Sequence, residues 1–203
     1  WGYYTKGLAY GDGKYLYVGD YSGDYVYRVR YPNLGNVISS FPTTHDMHGG
    51  LSLRNTGDGG TGATQMWASY VPPIADIMGG PATGRDAPVE IPYIYLHNLF
   101  TGSIISSFLP MGVAPYDVAW DWRNNVLWGA GGPLIGHTTT GSMIGSFWYM
   151  RGYSKRHLVG ICYEGEYLWA GCTRPVAEIL KIHCPGDMNV SPASMGKIKA
   201  MYR

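Results

Sequence analysis

One seven-residue phrase returns four times along the chain, and few sequence features narrow the possible folds as much as a repeat of this length. It reads Gly35-Asn-Val-Ile-Ser-Ser-Phe41, Gly102-Ser-Ile-Ile-Ser-Ser-Phe108, Gly141-Ser-Met-Ile-Gly-Ser-Phe147 and, in degenerate form, Gly196-Lys-Ile-Lys-Ala-Met-Tyr202. A second phrase keeps step with it: Tyr15-Leu-Tyr-Val-Gly19, Gln65-Met-Trp-Ala-Ser69, Val126-Leu-Trp-Gly-Ala130 and Tyr167-Leu-Trp-Ala-Gly171. Both are short β-branched or aromatic runs bounded by Gly and Pro, which is the composition of strands and their turns.

The first copy shows the whole unit. Gly7 to Tyr10 reads as a strand, and Gly11-Asp-Gly13 supplies residues suited to positive φ for a tight turn. Tyr15 to Val18 is a second strand, followed by a turn at Asp20 to Asp24. Tyr25 to Tyr31 alternates with period two, so one face packs while the other is solvated. Pro32 to Gly35 turns into a fourth strand, Asn36 to Phe41. Four antiparallel strands in a meander of about 40 residues make a propeller blade. The predicted fold is therefore all-β, one β-propeller domain over residues 1–203 with repeats at about 7–42, 49–109, 112–148 and 157–203. Carried past Arg203 to Trp1, the register returns to Gly35 after one more repeat, so the chain reads as four whole units. They either close into a ring of their own or form part of a larger propeller. The second case would leave apolar flanks open around Trp169 and Tyr17.

Composition agrees. With 4 Glu and 6 Lys among 203 residues, the chain lacks the material of long amphipathic helices. A net charge of +1 gives no basic field for nucleic acid. No apolar run approaches the roughly 18 residues of a helical membrane span.

Gly-Leu-Ala-Tyr, Gly-Lys-Tyr-Leu-Tyr-Val-Gly-Asp, Tyr-Val-Tyr-Arg-Val and Gly-x-Val-Ile-Ser-Ser-Phe-Pro, taken in that order, resemble the YVTN and NHL-like propellers common in secreted microbial proteins. The resemblance covers nearly the whole chain. It implies an extracellular or cell-surface location, with Gly7 to Tyr10 innermost in its blade and Asn36 to Phe41 outermost. It implies no single activity, because such propellers host many roles. Members usually carry six to eight repeats, and this chain has four.

In such a fold, the connection between an outer strand and the next inner strand lies at a mouth of the central channel. That places His45, Asp46 and His48 there, together with Asp117 beside Tyr116, and Arg151, Lys155, Arg156 and His157. A rim of His, Asp and Arg suits an anion or a metal, although no resident metal or cofactor follows from the sequence. Tyr3, Tyr4, Trp148, Tyr149 and Tyr153 also fall in connections, where exposed aromatics suit glycans or protein contacts. Tyr17, Trp67, Trp128 and Trp169 share one repeat position and are expected to pack between blades. Three cysteines lie in the last repeat. A Cys162–Cys184 disulfide needs Cys184 to curl over the intervening strand, because two strand spacings exceed the reach of the bond. Gly57-Asp-Gly-Gly-Thr-Gly62 spells the dinucleotide fingerprint, but it joins antiparallel strands instead of opening a helix, so a mobile loop is expected.

No G-x-S-x-G, H-E-x-x-H or Ser-x-x-Lys signature is present. The expected function is that of a non-enzymatic extracellular module for binding or structural assembly, self-associating into an oligomer or polymer. Its further partners would be extracellular proteins or glycans. The alternative is a lactonase-, lyase- or cyclotransferase-like enzyme with its site at the channel mouth.

Overall fold

The computed structural model describes residues 5–20, 24–33, 36–43, 49–70, 93–111, 114–148, 150–151, 154–155, 157–174 and 177–184. Blade 1 is a meander of β1 (Thr5–Gly11), β2 (Tyr15–Asp20), β3 (Tyr25–Arg30) and β4 (Val37–Pro42). Blade 2 repeats it with β5 (Leu51–Arg54), β6 (Gln65–Tyr70), β7 (Tyr93–Asn98) and β8 (Ile104–Phe108). Blade 3 has β9 (Asp117–Asp121), β10 (Val126–Ala130), β11 (Leu134–His137) and β12 (Met143–Phe147). A short hairpin, β13 (Met150–Arg151) with β14 (Ser154–Lys155), occupies a connection that reads as loop in sequence. Blade 4 shows β15 (His157–Glu164), β16 (Tyr167–Arg174) and β17 (Glu178–His183). The fourth copy of the phrase, at residues 196–202, lies outside the described residues. The four sheets stand in a ring, a four-blade β-propeller arrangement, and every described pairing is antiparallel.

The turn between β1 and β2 has the predicted chemistry, with Asp12 at φ 54° and Gly13 at φ 63°. These are positions where a short polar side chain or none is tolerated.

Blades 2 and 3 each bury two unlike faces. Tyr17, Ala9, Val26 and Phe41 of blade 1 meet Leu51, Leu53, Met66 and Ala68 of blade 2. On the other face of blade 2, Trp67, Ile94 and Leu96 meet Val118, Trp120 and Leu127 of blade 3. Blade 3 in turn sets Trp128, Ala119, Val126 and Leu134 against Leu158, Ile161, Leu168 and Ile182 of blade 4. The alternation follows from period two along each strand: Trp67 and Met66 are neighbours in sequence and serve opposite seams. Tyr17, Trp67 and Trp128 are buried as their shared repeat position predicts.

Trp169, in the same position, is only half-buried, with Nε1 donating to Glu164 at 3.2 Å. It faces the fourth seam, where no buried cluster among the described residues joins blade 4 to blade 1. Leu8 and Ile179 are 58% and 78% exposed there. The open flank of blade 1 thus carries Leu8 and Tyr10, whereas Tyr17 belongs to the packed face. Trp1 and Arg203, whose distance would report ring closure, lie outside the described residues.

The glycine and phenylalanine of the repeated phrase lock neighbouring blades together. Gly102 has φ 72°, and a Cβ there would fall 2.5 Å from the Phe41 ring of the preceding blade. Gly141 has φ 89°, and its Cβ would fall 2.6 Å from the Phe108 ring. So the Phe closing one outer strand seats on the glycine opening the next. The isoleucine between them has its own task. On β4 two residues, Val37 and Ile38, occupy the span opposite one residue of β3, and the same bulge recurs at Ile105 and Ile144. A bulge bends the outer strand locally and turns successive side chains outward.

Candidate functional site

The inner strands β1, β5, β9 and β15 all contribute to one cavity of about 530 Å³ along the ring's axis. Leu8 and Tyr10, Ser52 and Leu53, Trp120, and Ile161 to Tyr163 line it. Neighbouring inner strands are tied together by polar side chains accepting from main-chain amides. Trp120 N donates to Ser52 Oγ at 2.8 Å, joining blades 2 and 3. Ile161 N donates to Asp117 Oδ2 at 2.8 Å, joining blades 3 and 4.

Asp117 is the predicted rim residue whose surroundings are described, and it is tied into the framework instead of pointing freely into the channel. Its Oδ1 accepts from Val118 N at 2.9 Å. A Cβ on Gly50 would lie 1.5 Å from that oxygen, so only glycine lets the blade 2 backbone come this close. Gly50 N itself donates to Tyr116 O at 3.0 Å and to Ser69 Oγ at 2.9 Å. Asp117 therefore sits where the entries of three blades converge. Burial pushes its carboxyl up to about 7, against the two amide donors that favour the charged form.

The other predicted rim residues divide by position. Arg151 and Lys155 lie on the β13–β14 hairpin, and His157 opens β15. His45, Asp46, His48 and Arg156 lie outside the described residues, as do Tyr3, Tyr4, Tyr149 and Tyr153. Trp148 is half-buried just past β12. Among the described residues, no three His, Cys, Asp or Glu side chains gather as a metal site would require.

The opposite mouth is built around a segment that the sequence marked only as a loop. Gly57 to Gly62 is an anchored strap, not a mobile loop. Asp58 reaches over the channel so that its Oδ1 accepts from Gly165 N of blade 4 at 3.0 Å and from Trp122 Nε1 of blade 3 at 3.2 Å. Gly60, at φ 74°, lies against blade 1: a Cβ there would meet Tyr10 O at 2.4 Å. Beside the strap, Arg123 pairs with Glu166 at 3.0 Å, and Glu166 also approaches His183 at 3.5 Å.

Cys162, Cys172 and Cys184 are all free thiols, so the Cys162–Cys184 bridge is not formed. The two cysteines face opposite sides of blade 4. Cys162 pairs in register with Trp169 and is exposed, whereas Cys184 is buried with Leu168 and Ile182 against blade 3. Burial pushes the Cys184 thiol up to about 12. It also raises that of Cys162, where the Asp117 and Glu164 carboxylates add to the shift.

No family model matches the chain, and no curated protein matches it. Solved structures do. One of them, a complex of KlAtg21 with the coiled-coil of AgAtg16, is 11% identical with a TM-score of 0.51. The match covers 91% of this chain and 54% of that one, so this chain spans about half of its length. At that identity the likeness is one of fold alone, and it agrees with the blade arrangement described above.

Proposed function

We propose that this chain is a non-enzymatic assembly module of the YVTN and NHL-like kind, working outside the cell and associating with further copies of itself through its outer strands. The observation that carries this reading is the character of those strands. β4, β8 and β12 each form the free edge of a blade and contain no charged residue. Val37, Ile38, Ile104, Ile105 and Met143 on them are all exposed. Natural edge strands are commonly guarded by Lys, Pro or inward-pointing charge. Here only the bulge and the closing Pro42 of β4 blunt an edge, and a row of unpaired main-chain groups beside apolar side chains matches a second copy of itself. Three such edges around one ring allow more than one contact per molecule, so association can continue past a dimer.

Sedimentation velocity across the micromolar range tests this. The wild-type chain should show a weight-average sedimentation coefficient that grows with concentration, and Ile38→Lys with Ile105→Lys should suppress the growth without altering the far-ultraviolet circular dichroism. A wild-type chain that stays monomeric throughout, or a lysine variant that associates as strongly as wild type, would overturn the proposal.

A further inference from the structure

A second concavity lies away from the outer strands, between blades 2 and 3, on the strap side of the ring. It measures about 470 Å³, within the range of small-ligand sites. Trp120 and Trp122 line it, and each ring is fixed by its own nitrogen: Trp120 Nε1 donates to Asn55 O at 3.1 Å and Trp122 Nε1 to Asp58 Oδ1. Arg54 also lines it. Its Nη1 donates to Gln65 Oε1 at 2.8 Å, and its guanidinium carbon lies 5.5 Å from the centre of the Trp120 ring. The guanidinium is thus held as an oriented plane, and no carboxylate is paired with it among the described residues. The Gln65 amide nitrogen is left as a donor when its oxygen accepts from Arg54. Asn55 donates its amide to Gly57 O, which leaves its oxygen as an acceptor. Asn125, at the turn between β9 and β10 with φ 55°, adds a further amide to the rim.

We infer that this cleft binds a saccharide bearing a carboxylate, with Arg54 engaging the acid group. The half-buried Trp122 indole, next to fixed amide donors and acceptors, suits a ring with one apolar face and a hydroxylated edge. The lining contains one cation and no anion, which favours a ligand carrying a single negative charge over a neutral one. The inference does not depend on self-association, because the cleft shares no residue with β4, β8 or β12.

Titration calorimetry with galacturonic acid, and with its methyl ester as the uncharged control, tests this. Wild type should bind the acid saturably and the ester at least fivefold more weakly. Arg54→Gln should reduce acid binding tenfold or more. Because Arg54 also packs beside buried Trp67 and Trp120, a second variant guards against a folding defect: Asn125→Asp keeps a residue tolerant of positive φ and adds a negative charge at the rim. It should weaken the acid at least threefold and leave the ester unchanged. Absence of saturable binding of the acid, equal affinity for acid and ester, or acid affinity unchanged in both variants would each overturn the inference.

Discussion

Replacing Gly102 with alanine should separate steric interlock from backbone preference. The substitution has two costs. A non-glycine residue in the left-handed region loses about 1–2 kcal/mol, and Gly102 has φ 72°. The new methyl would also lie 2.5 Å from Cδ2 of Phe41, a ring buried in the first seam, so the ring or the blade must shift. Overpacking of that kind costs a further 1–3 kcal/mol, roughly. Gly13 supplies the control. It has φ 63°, and its nearest neighbour, Tyr10 Oη, is an ordinary 3.9 Å from the built Cβ. Gly13→Ala therefore carries the backbone cost alone, and the stiffening of the unfolded chain by alanine is common to both variants. Gly102→Ala should be less stable than Gly13→Ala by about 1–3 kcal/mol. For a chain of this size that corresponds to about 2–12 °C in Tm. Urea titration and thermal melts of the two variants give the difference directly. The double variant Gly102→Ala with Phe41→Ala supplies the coupling: removing the ring removes the clash, so the two losses should sum to less than their separate values. Equal stability of Gly102→Ala and Gly13→Ala, or strict additivity in the double variant, would show that the phrase does not lock blades in this way.

Two further outcomes are expected. Because the Asp117 carboxyl is raised to about 7 in the fold from an ordinary 3.8, the folded chain holds more protons than the unfolded one between those values, and this group's contribution to stability falls as pH rises through that window. The urea midpoint of Asp117→Asn should therefore gain on that of wild type between pH 4 and pH 8; His137, kept neutral by burial, contributes alike to both proteins, and a difference independent of pH would refute the assignment. Ellman's reagent should modify one thiol per native chain, at Cys162, and all three after denaturation, with native labelling accelerating as pH is raised; labelling of Cys172 or Cys184 in the native state would contradict their burial.

What was legible in the sequence was whatever a single repeat determines by itself. The strands, the Asp12–Gly13 turn and the seam positions of Tyr17, Trp67 and Trp128 follow from local pattern and from its recurrence. Contacts between units were not legible. Asp58 meets a partner more than a hundred residues away at Gly165, and nothing near Asp58 in sequence announces it. The Gly57–Gly62 segment therefore looked like a mobile loop, although its positive-φ glycines are what let it lie against blade 1. The cysteines failed for a related reason: strand order gives their spacing, but the face each occupies depends on register, and one residue of shift reverses it. Asp117 was found by its place in a connection. The clamp it forms depends on Gly50 and Ile161, which lie in two other blades.

The unlike faces of blades 2 and 3 carry a consequence for growth by duplication. A joint between identical faces is complete once two partners have met. A joint between two different faces leaves a fresh copy of each half at the two ends of the row. Nothing in such a joint counts. Copying one unit of about 40 residues into the gene would extend the row with the same kind of joint, and the tally of blades at which it stops would depend on the angle between neighbours.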